Sequence, residues 1–168
     1  PNIGAMPLAE VVREACEEGL EAAKDFEGFQ QCVVEVLNRR AKEITDGVRN
    51  IFIEPAPWQS VMMRDCLTAG RDISEGAKYN NYGVHGTGIA TAVDSLAAIK
   101  KYCFDEKSVG KRELIDALKS DFEGNENLLK KLRQQAPKMG TDDDFADALA
   151  VRLLDSFAGA FKDMRNDR

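Results

Sequence analysis

The chain reads as mainly α, with at most one or two short strands. Three observations predict this. Apolar residues recur at three- and four-residue steps along most of the sequence, and glycine and proline punctuate those runs at about the length of a helix. Only one stretch, 78–88, departs from the helical period, with polar, aromatic and glycine residues of extended character. At 168 residues and 43% hydrophobic content, the chain supplies one core and one domain or part of one.

Leu8, Val11, Val12, Cys16 and Leu20 form one face of a first helix, expected from Met6 to about Lys24, with Pro7 acceptable in its first turn. Asp25 is placed to cap a second helix running to about Ile51, with Phe26, Phe29, Val33, Val36, Leu37, Ile44 and Val48 inward. Glu54-Pro55-Ala56-Pro57 breaks the chain, since each proline also restricts the residue before it. A short helix is predicted from Trp58 to Ala69, ended by Gly70, and residues 71–76 read as a polar loop. The extended stretch follows, and a clean helix runs from Ile89 to about Glu106. Ser108 or Gly110 begins the next, with Leu114, Ile115, Leu118 and Phe122 inward and Gly124 as its stop. Asn125 to Gln135 carries Leu128, Leu129 and Leu132. After Pro137 and Gly140, a last long helix turns Phe145, Leu149, Leu153, Phe157 and Phe161 inward.

A net charge of −6 argues against nucleic acid or an anionic membrane surface as partner. No apolar run reaches the length of a membrane span. Cys16, Cys32, Cys66 and Cys103 are far apart and all fall in predicted helices, so reduced thiols in a cytoplasmic setting are expected, with no metal site. The start at Pro1 and the end at Met164-Arg165-Asn166-Asp167-Arg168 are read as the ends of a piece of a longer polypeptide.

Gly86-Thr87-Gly88-Ile89-Ala90-Thr91 has two glycines of a dinucleotide fingerprint, but Thr91 stands where the third belongs and no strand is expected after the helix. It reads as close backbone packing at a helix entry. Cys32 and Glu35 share a helix face, yet Cys32 lies on the apolar stripe and reads as core. Thr141-Asp142-Asp143-Asp144 lacks the alternating ligands of a calcium loop and reads as a threonine cap followed by acids favoured by the helix dipole. Tyr79, Asn80, Asn81 and Tyr82 cluster at an extended-to-glycine junction, which suits either a small polar ligand or a hydrogen-bonded edge. His85, the chain's one histidine, suits either proton transfer or hydrogen-bonded packing. Tyr79, Asn80, Asn81 and His85 are the candidate substrate-binding residues; no catalytic residue is assigned.

Gly76-Ala77-Lys78-Tyr79-Asn80, the glycines at 83, 86 and 88, and Asp94-Ser95-Leu96-Ala97-Ala98-Ile99-Lys100-Lys101 together resemble the glycyl radical enzymes. The resemblance is to their pyruvate formate-lyase-like branch, which includes glycerol, choline and hydroxyproline lyases and arylacetate decarboxylases. Pro57 through Asp65-Cys66, Gly70-Arg71-Asp72-Ile73, Phe122-Glu123-Gly124 and Ala136-Pro137-Lys138-Met139-Gly140-Thr141-Asp142-Asp143-Asp144 extend it in the same order.

The resemblance implies a parent with an α/β barrel that cleaves C–C, C–O, C–N or C–S bonds of a small substrate. Its chemistry uses a protein glycyl radical, installed by a radical S-adenosylmethionine activating enzyme, and a thiyl radical on a loop cysteine. No Arg-Val-x-Gly-Tyr-like segment occurs here, and no cysteine has the expected loop setting. Residues 1–168 are therefore expected to be a single segment between the cysteine loop and the radical-glycine loop, without cofactor and inactive alone. Such a segment would line part of the parent's pocket and self-associate through uncovered faces. The alternative is a stand-alone helical binding module descended from the same family.

Overall fold

Proline restricts the backbone of the residue before it to extended conformations, and Pro7 does this at Met6. In the computed structural model, which describes residues 2–165, the chain accordingly opens with a strand, β1 (Asn2–Pro7), and the first helix begins only at Leu8. Helix from Met6 was expected; the strand was not. Pro1 and residues 166–168, which include the ends read above as cut, lie outside the described residues.

Helix α1 (Leu8–Ala15) buries Leu8, Val11, Val12 and Ala15, then widens into a π-type turn over Cys16–Leu20. Helix α2 (Phe26–Gly47) starts where Asp25 accepts a hydrogen bond from the Gly28 amide at 2.8 Å. It buries Phe29, Val33, Val36, Leu37 and Ala41, so most of its predicted stripe is core, while Ile44 and Val48 are half-buried. The α1–α2 contact is close because Gly19 has no side chain: a Cβ there would lie 2.4 Å from Cys32 Sγ. Two guanidinium forks brace the rim of this contact. Arg39 donates to Glu18 at 2.7 and 3.0 Å, and Arg40 donates to Glu14 at 2.5 and 2.9 Å.

Residues 57–76 form three short helices, α3 (Pro57–Met62), α4 (Arg64–Ala69) and α5 (Ile73–Gly76). One helix was expected over 58–69 and a loop over 71–76. Met63 is extended, with φ −101° and ψ 116°, and divides the first helix. The cause is tertiary. Ser60 Oγ donates to Asp72 Oδ2 at 2.6 Å, and Asp72 also accepts from the Ala56 and Ser74 amides at 3.0 and 2.9 Å. This carboxylate ties α3 to the start of α5.

Strand β2 (Gly83–Thr87) pairs in parallel with β1, with Ala5 opposite His85, Met6 opposite Gly86 and Pro7 opposite Thr87. The extended character read at Tyr79–Tyr82 does not become strand. The ladder begins at the pair Asn2–Gly83, so residues 79–82 lie beyond the described end of the partner strand. A Cβ on Gly86 would come within 3.3 Å of Leu8 and 3.6 Å of the Phe157 ring, and Gly88 takes φ +71° at the turn into the next helix. The glycine pattern is thus a packed strand-to-helix junction. Among the described residues only helices follow it, which removes the dinucleotide reading.

Helix α6 (Ile89–Ile99) buries Ala92, Val93 and Leu96 through Ile99 and continues as a π-type segment over Lys100–Asp105. Helix α7 (Lys111–Lys119) is capped by Glu113, whose carboxylate accepts from the Gly110 amide at 3.0 Å. It ends at Lys119, short of Gly124. Helix α8 (Glu126–Gln135) has no fully buried residue. Helix α9 (Asp144–Phe161) is capped by Asp143, which accepts from Phe145 and Ala146 amides at 3.1 and 3.0 Å. The expected cap, Thr141, instead donates to the Lys138 carbonyl. Leu149 and Leu153 are buried as expected, together with Ala146 and Ala150, and Phe157 and Phe161 are half-buried, while Phe145 in the first turn is exposed. Helix α1 packs on α2 and α6, and α9 closes over α2 and α6, so the core lies among these four.

Candidate functional site

The irregular segment 77–82 runs from α5 to β2 across the end of α2 and the end of α9. It roofs a groove of about 660 Å³ lined by Tyr79, Asn80, Asn81, Tyr82, Lys78 and Arg49 among others. Ile44, Val48, Val84, Phe161 and Met164 supply its apolar wall, while Thr45, Glu75 and Arg165 add polar groups. Three cationic side chains face one carboxylate in this lining, which favours an anionic or hydroxylated small molecule over an apolar one.

Several of these groups are fixed from behind. Asn80 Nδ2 donates to the Ser74 carbonyl at 3.2 Å, and Thr45 Oγ1 donates to the Ala41 carbonyl at 2.8 Å. Gly76 allows the tight 71–76 turn, since a Cβ there would meet Arg71 at 2.8 Å. The Tyr79 ring stands 76% exposed, with Lys78 Nζ 5.4 Å from its centre.

Of the four candidate binding residues, the fold gathers Tyr79, Asn80 and Asn81 on the groove. His85 is placed elsewhere, as an exposed residue on β2 opposite Ala5, and does not line it. Arg49, Thr45 and Glu75 line the groove without having been anticipated. Nothing local marks Arg49, which arrives through the packing of α2. Glu75 falls in the stretch read as a polar loop and reaches the groove on α5, whose start Asp72 caps by accepting from the Ser74 amide.

The thiols sit apart from this groove. Burial pushes the Cys16 thiol up to about 12 and the Cys103 thiol up to about 11. Cys32, whose Sγ donates to the Ala15 carbonyl at 3.8 Å, is raised first by burial and then by the Glu35 and Glu18 carboxylates. The Cys32–Glu35 pairing therefore disfavours a thiolate. All four cysteines are on helices or helical turns, with Cys16, Cys66 and Cys103 buried. Among the described residues no group of His, Cys, Asp and Glu could hold a metal ion, and no helix is long and apolar enough to cross a membrane.

A second, more apolar cleft of about 460 Å³ lies among α1, α6, α7 and α8. Its rim is braced by Asp94, which accepts from the Met139 amide at 2.9 Å and pairs with Lys138 at 3.4 Å.

The profile of the family described as pyruvate formate lyase-like matches residues 21–168. Trans-4-hydroxy-L-proline dehydratase of Clostridioides difficile is 38% identical over 104 residues, covering 61% of this chain and 13% of that protein. Isethionate sulfite-lyase of Bilophila wadsworthia is 44% identical over 127 residues, covering 75% of this chain and 14% of that protein. A chain from a structural study of 1,2-propanediol dehydration in Roseburia inulinivorans superposes with a TM-score of 0.84 at 24% identity, over 96% of this chain and 24% of that one. That superposition establishes the fold. This chain spans about an eighth of the length of the curated relatives it matches, taking 13% and 14% as the measured shares.

Proposed function

Because this chain belongs to the pyruvate formate lyase-like family, we propose that it is one segment of a glycyl radical lyase or dehydratase acting on a small substrate. The observation that carries the reading is the match over 21–168 to a family whose similar members are a dehydratase and a sulfite-lyase. The parent would cleave a C–C, C–O, C–N or C–S bond with a glycyl radical installed by a separate activating enzyme. It would work anaerobically in the cytoplasm, where thiols stay reduced. Residues 1–168 hold neither the cysteine loop nor the radical-glycine loop in this reading, so no radical step is assigned to them and the chain alone is inactive.

The contribution of the segment is then positional. Helices α1, α2, α6 and α9 form a rigid backing, and the 77–82 segment presents Tyr79, Asn80 and Asn81 as one wall of a polar groove. His85 would serve from β2, outside that wall. Self-association of the isolated chain belongs to the same reading, because a segment of a larger fold leaves faces uncovered.

Two measurements test this. Anaerobic incubation of the chain with an activating enzyme and S-adenosylmethionine should give no glycyl radical signal by electron paramagnetic resonance and no turnover of isethionate or trans-4-hydroxy-L-proline. A radical signal or turnover from the pure chain defeats the segment reading. For the groove, isethionate titrated against labelled chain should shift the amide resonances of 77–82 and Arg49. Shifts confined to the α1–α6–α7–α8 cleft would move the candidate site there instead.

A further inference from the structure

A helix of a single turn does not form on its own, because nucleating it fixes several residues for one hydrogen bond. Helix α5 is that short, so its geometry has to be held from outside. Asp72 supplies the hold with its carboxylate and its carbonyl. Oδ1 accepts from the Ser74 amide at 2.9 Å, and the carbonyl accepts from the Glu75 and Gly76 amides at 2.9 and 2.6 Å. Oδ2 accepts from the Ser60 hydroxyl at 2.6 Å and the Ala56 amide at 3.0 Å. Ser60 Oγ in turn accepts from the Ile73 amide at 2.8 Å, so this buried hydroxyl is used in both directions.

What α5 carries forward is the groove wall. Glu75 lines the groove from the helix itself, and the Ser74 carbonyl accepts from Asn80 Nδ2 at 3.2 Å. The backbone leaves the turn extended at Ala77, with φ −70° and ψ 140°. From there it has no regular structure until Gly83 opens β2, where pairing with β1 fixes it again. Residues 77–82 therefore hang between two anchors. At the α5 end the anchor is Ser74, whose amide is bound by Asp72 and whose carbonyl binds Asn80. Asp72 itself does not line the groove.

We propose that Asp72 is the positioning residue of the groove: by capping α5 through the Ser74 amide, it places the Ser74 carbonyl and, through it, the Asn80 side chain and the wall Tyr79–Asn81. The proposal rests on the reading of that groove as a substrate wall and deepens it, because a wall fixed before the ligand arrives costs less to order on binding. The cap is the route, rather than the tie to α3. It acts directly on the residue whose carbonyl holds Asn80, whereas Ser60 binds the Ile73 amide, one of the helix-start groups that water can also satisfy.

The Asn80 side-chain amide reports this contact without any ligand. In nitrogen-15 spectra of the full chain, its protons should exchange slowly with water and lie apart from those of exposed asparagines. Asp72→Ala should abolish that signature. It should also weaken isethionate, read from the amide shifts of Arg49 and 77–82, by about fivefold, the worth of one hydrogen bond. Asp72→Ser restores a cap oxygen of similar standing but not the second oxygen that Ser60 and Ala56 use. It should recover both the signature and the affinity. Ser60→Ala cuts the tie to α3, leaves the cap and should keep both as well. An unperturbed Asn80 signature in Asp72→Ala overturns the proposal. So does a serine variant no better than the alanine one, since a merely structural carboxylate would behave that way. Loss of the signature in Ser60→Ala overturns it too, by placing control in α3, and that variant carries the test if Asp72→Ala does not fold. Absence of isethionate shifts in the wild-type chain, with the Asn80 responses as expected, would defeat the substrate reading while supporting the positioning role.

Discussion

Gly19 shows how one missing side chain sets the spacing of two helices. It lies in the π-type turn that follows α1, and the absent Cβ leaves room for Cys32 of α2, whose Sγ would otherwise be 2.4 Å away and Cβ 3.0 Å away. Gly19→Ala should destabilise the fold by about 1–3 kcal/mol, the usual cost of overpacking a closed contact. Urea unfolding of the variant checks this. The paired variant Gly19→Ala/Cys32→Ala removes the sulfur that collides and should recover much of the loss. A Gly19→Ala cost that persists undiminished in the pair would locate the strain in the π-type backbone instead. Because Cys32 is an unactivated thiol, its removal should carry no chemical penalty beyond packing.

At the scale of elements, Asp72 organises residues 56–76 in the way a core residue organises a domain. Its carboxylate receives the Ser60 hydroxyl and the Ser74 and Ala56 amides, and these hydrogen bonds hold it below the usual aspartate range. A depressed folded value means the deprotonated form is the one the fold prefers. The stabilisation is therefore present above the ordinary aspartate value of about 3.9 and is lost as pH falls through the lower folded value. Amide exchange over 56–76 should lose protection in that acid window. Asp72→Asn should show weaker protection at neutral pH and little further change on acidification. Protection that follows the same acid profile in both proteins would assign the effect to another group. This unit also marks the limit of reading by sequence. The stripes Leu8-Val11-Val12 and Phe29-Val33-Val36 were legible because helical period alone places them inward. The break at Met63 was not, since no glycine or proline marks it and its cause lies in a hydroxyl–carboxylate contact made across the turn. Strand β1 was hidden because Pro7 suits a first helical turn as well as a strand end. Asp143 displaced Thr141 as cap of α9 because three successive acids offered equivalent starts; Phe145, in the first turn, lies beside the buried stripe of Ala146, Leu149, Ala150 and Leu153 rather than on it. In the groove, Tyr79, Asn80 and Asn81 were legible as polar residues clustered together. Arg49 was not, because only the packing of α2 brings it there.

For the molecule as a whole, the helices divide into a packed body and an appendage. Helices α1, α2, α6 and α9 share the main core, whereas α3, α4 and α5 pack chiefly on one another. Buried cysteines report on both parts: Cys16 and Cys103 in the body, Cys66 in the appendage. Alkylation proceeds through the thiolate. Values raised to about 12 and about 11 leave the native Cys16 and Cys103 almost entirely protonated near neutral pH. Their labelling must therefore await opening of the body, whereas Cys66 needs only the smaller unit to lift away. Iodoacetamide labelling at pH 8, followed by peptide mass spectrometry, should modify Cys66 first, with Cys16 and Cys103 following together at a slower rate. Urea should accelerate that second pair with the steep dependence of global unfolding, and Cys66 with a shallower one, because less surface is exposed when a short unit detaches. Labelling of all three at one rate with one urea dependence would show that the appendage and the body unfold as a single unit. Cys16 and Cys103 must also stay coupled to each other: a faster Cys103 would mean that the π-type end of α6 frays independently of α1, and the four-helix core would then be smaller than its burial indicates.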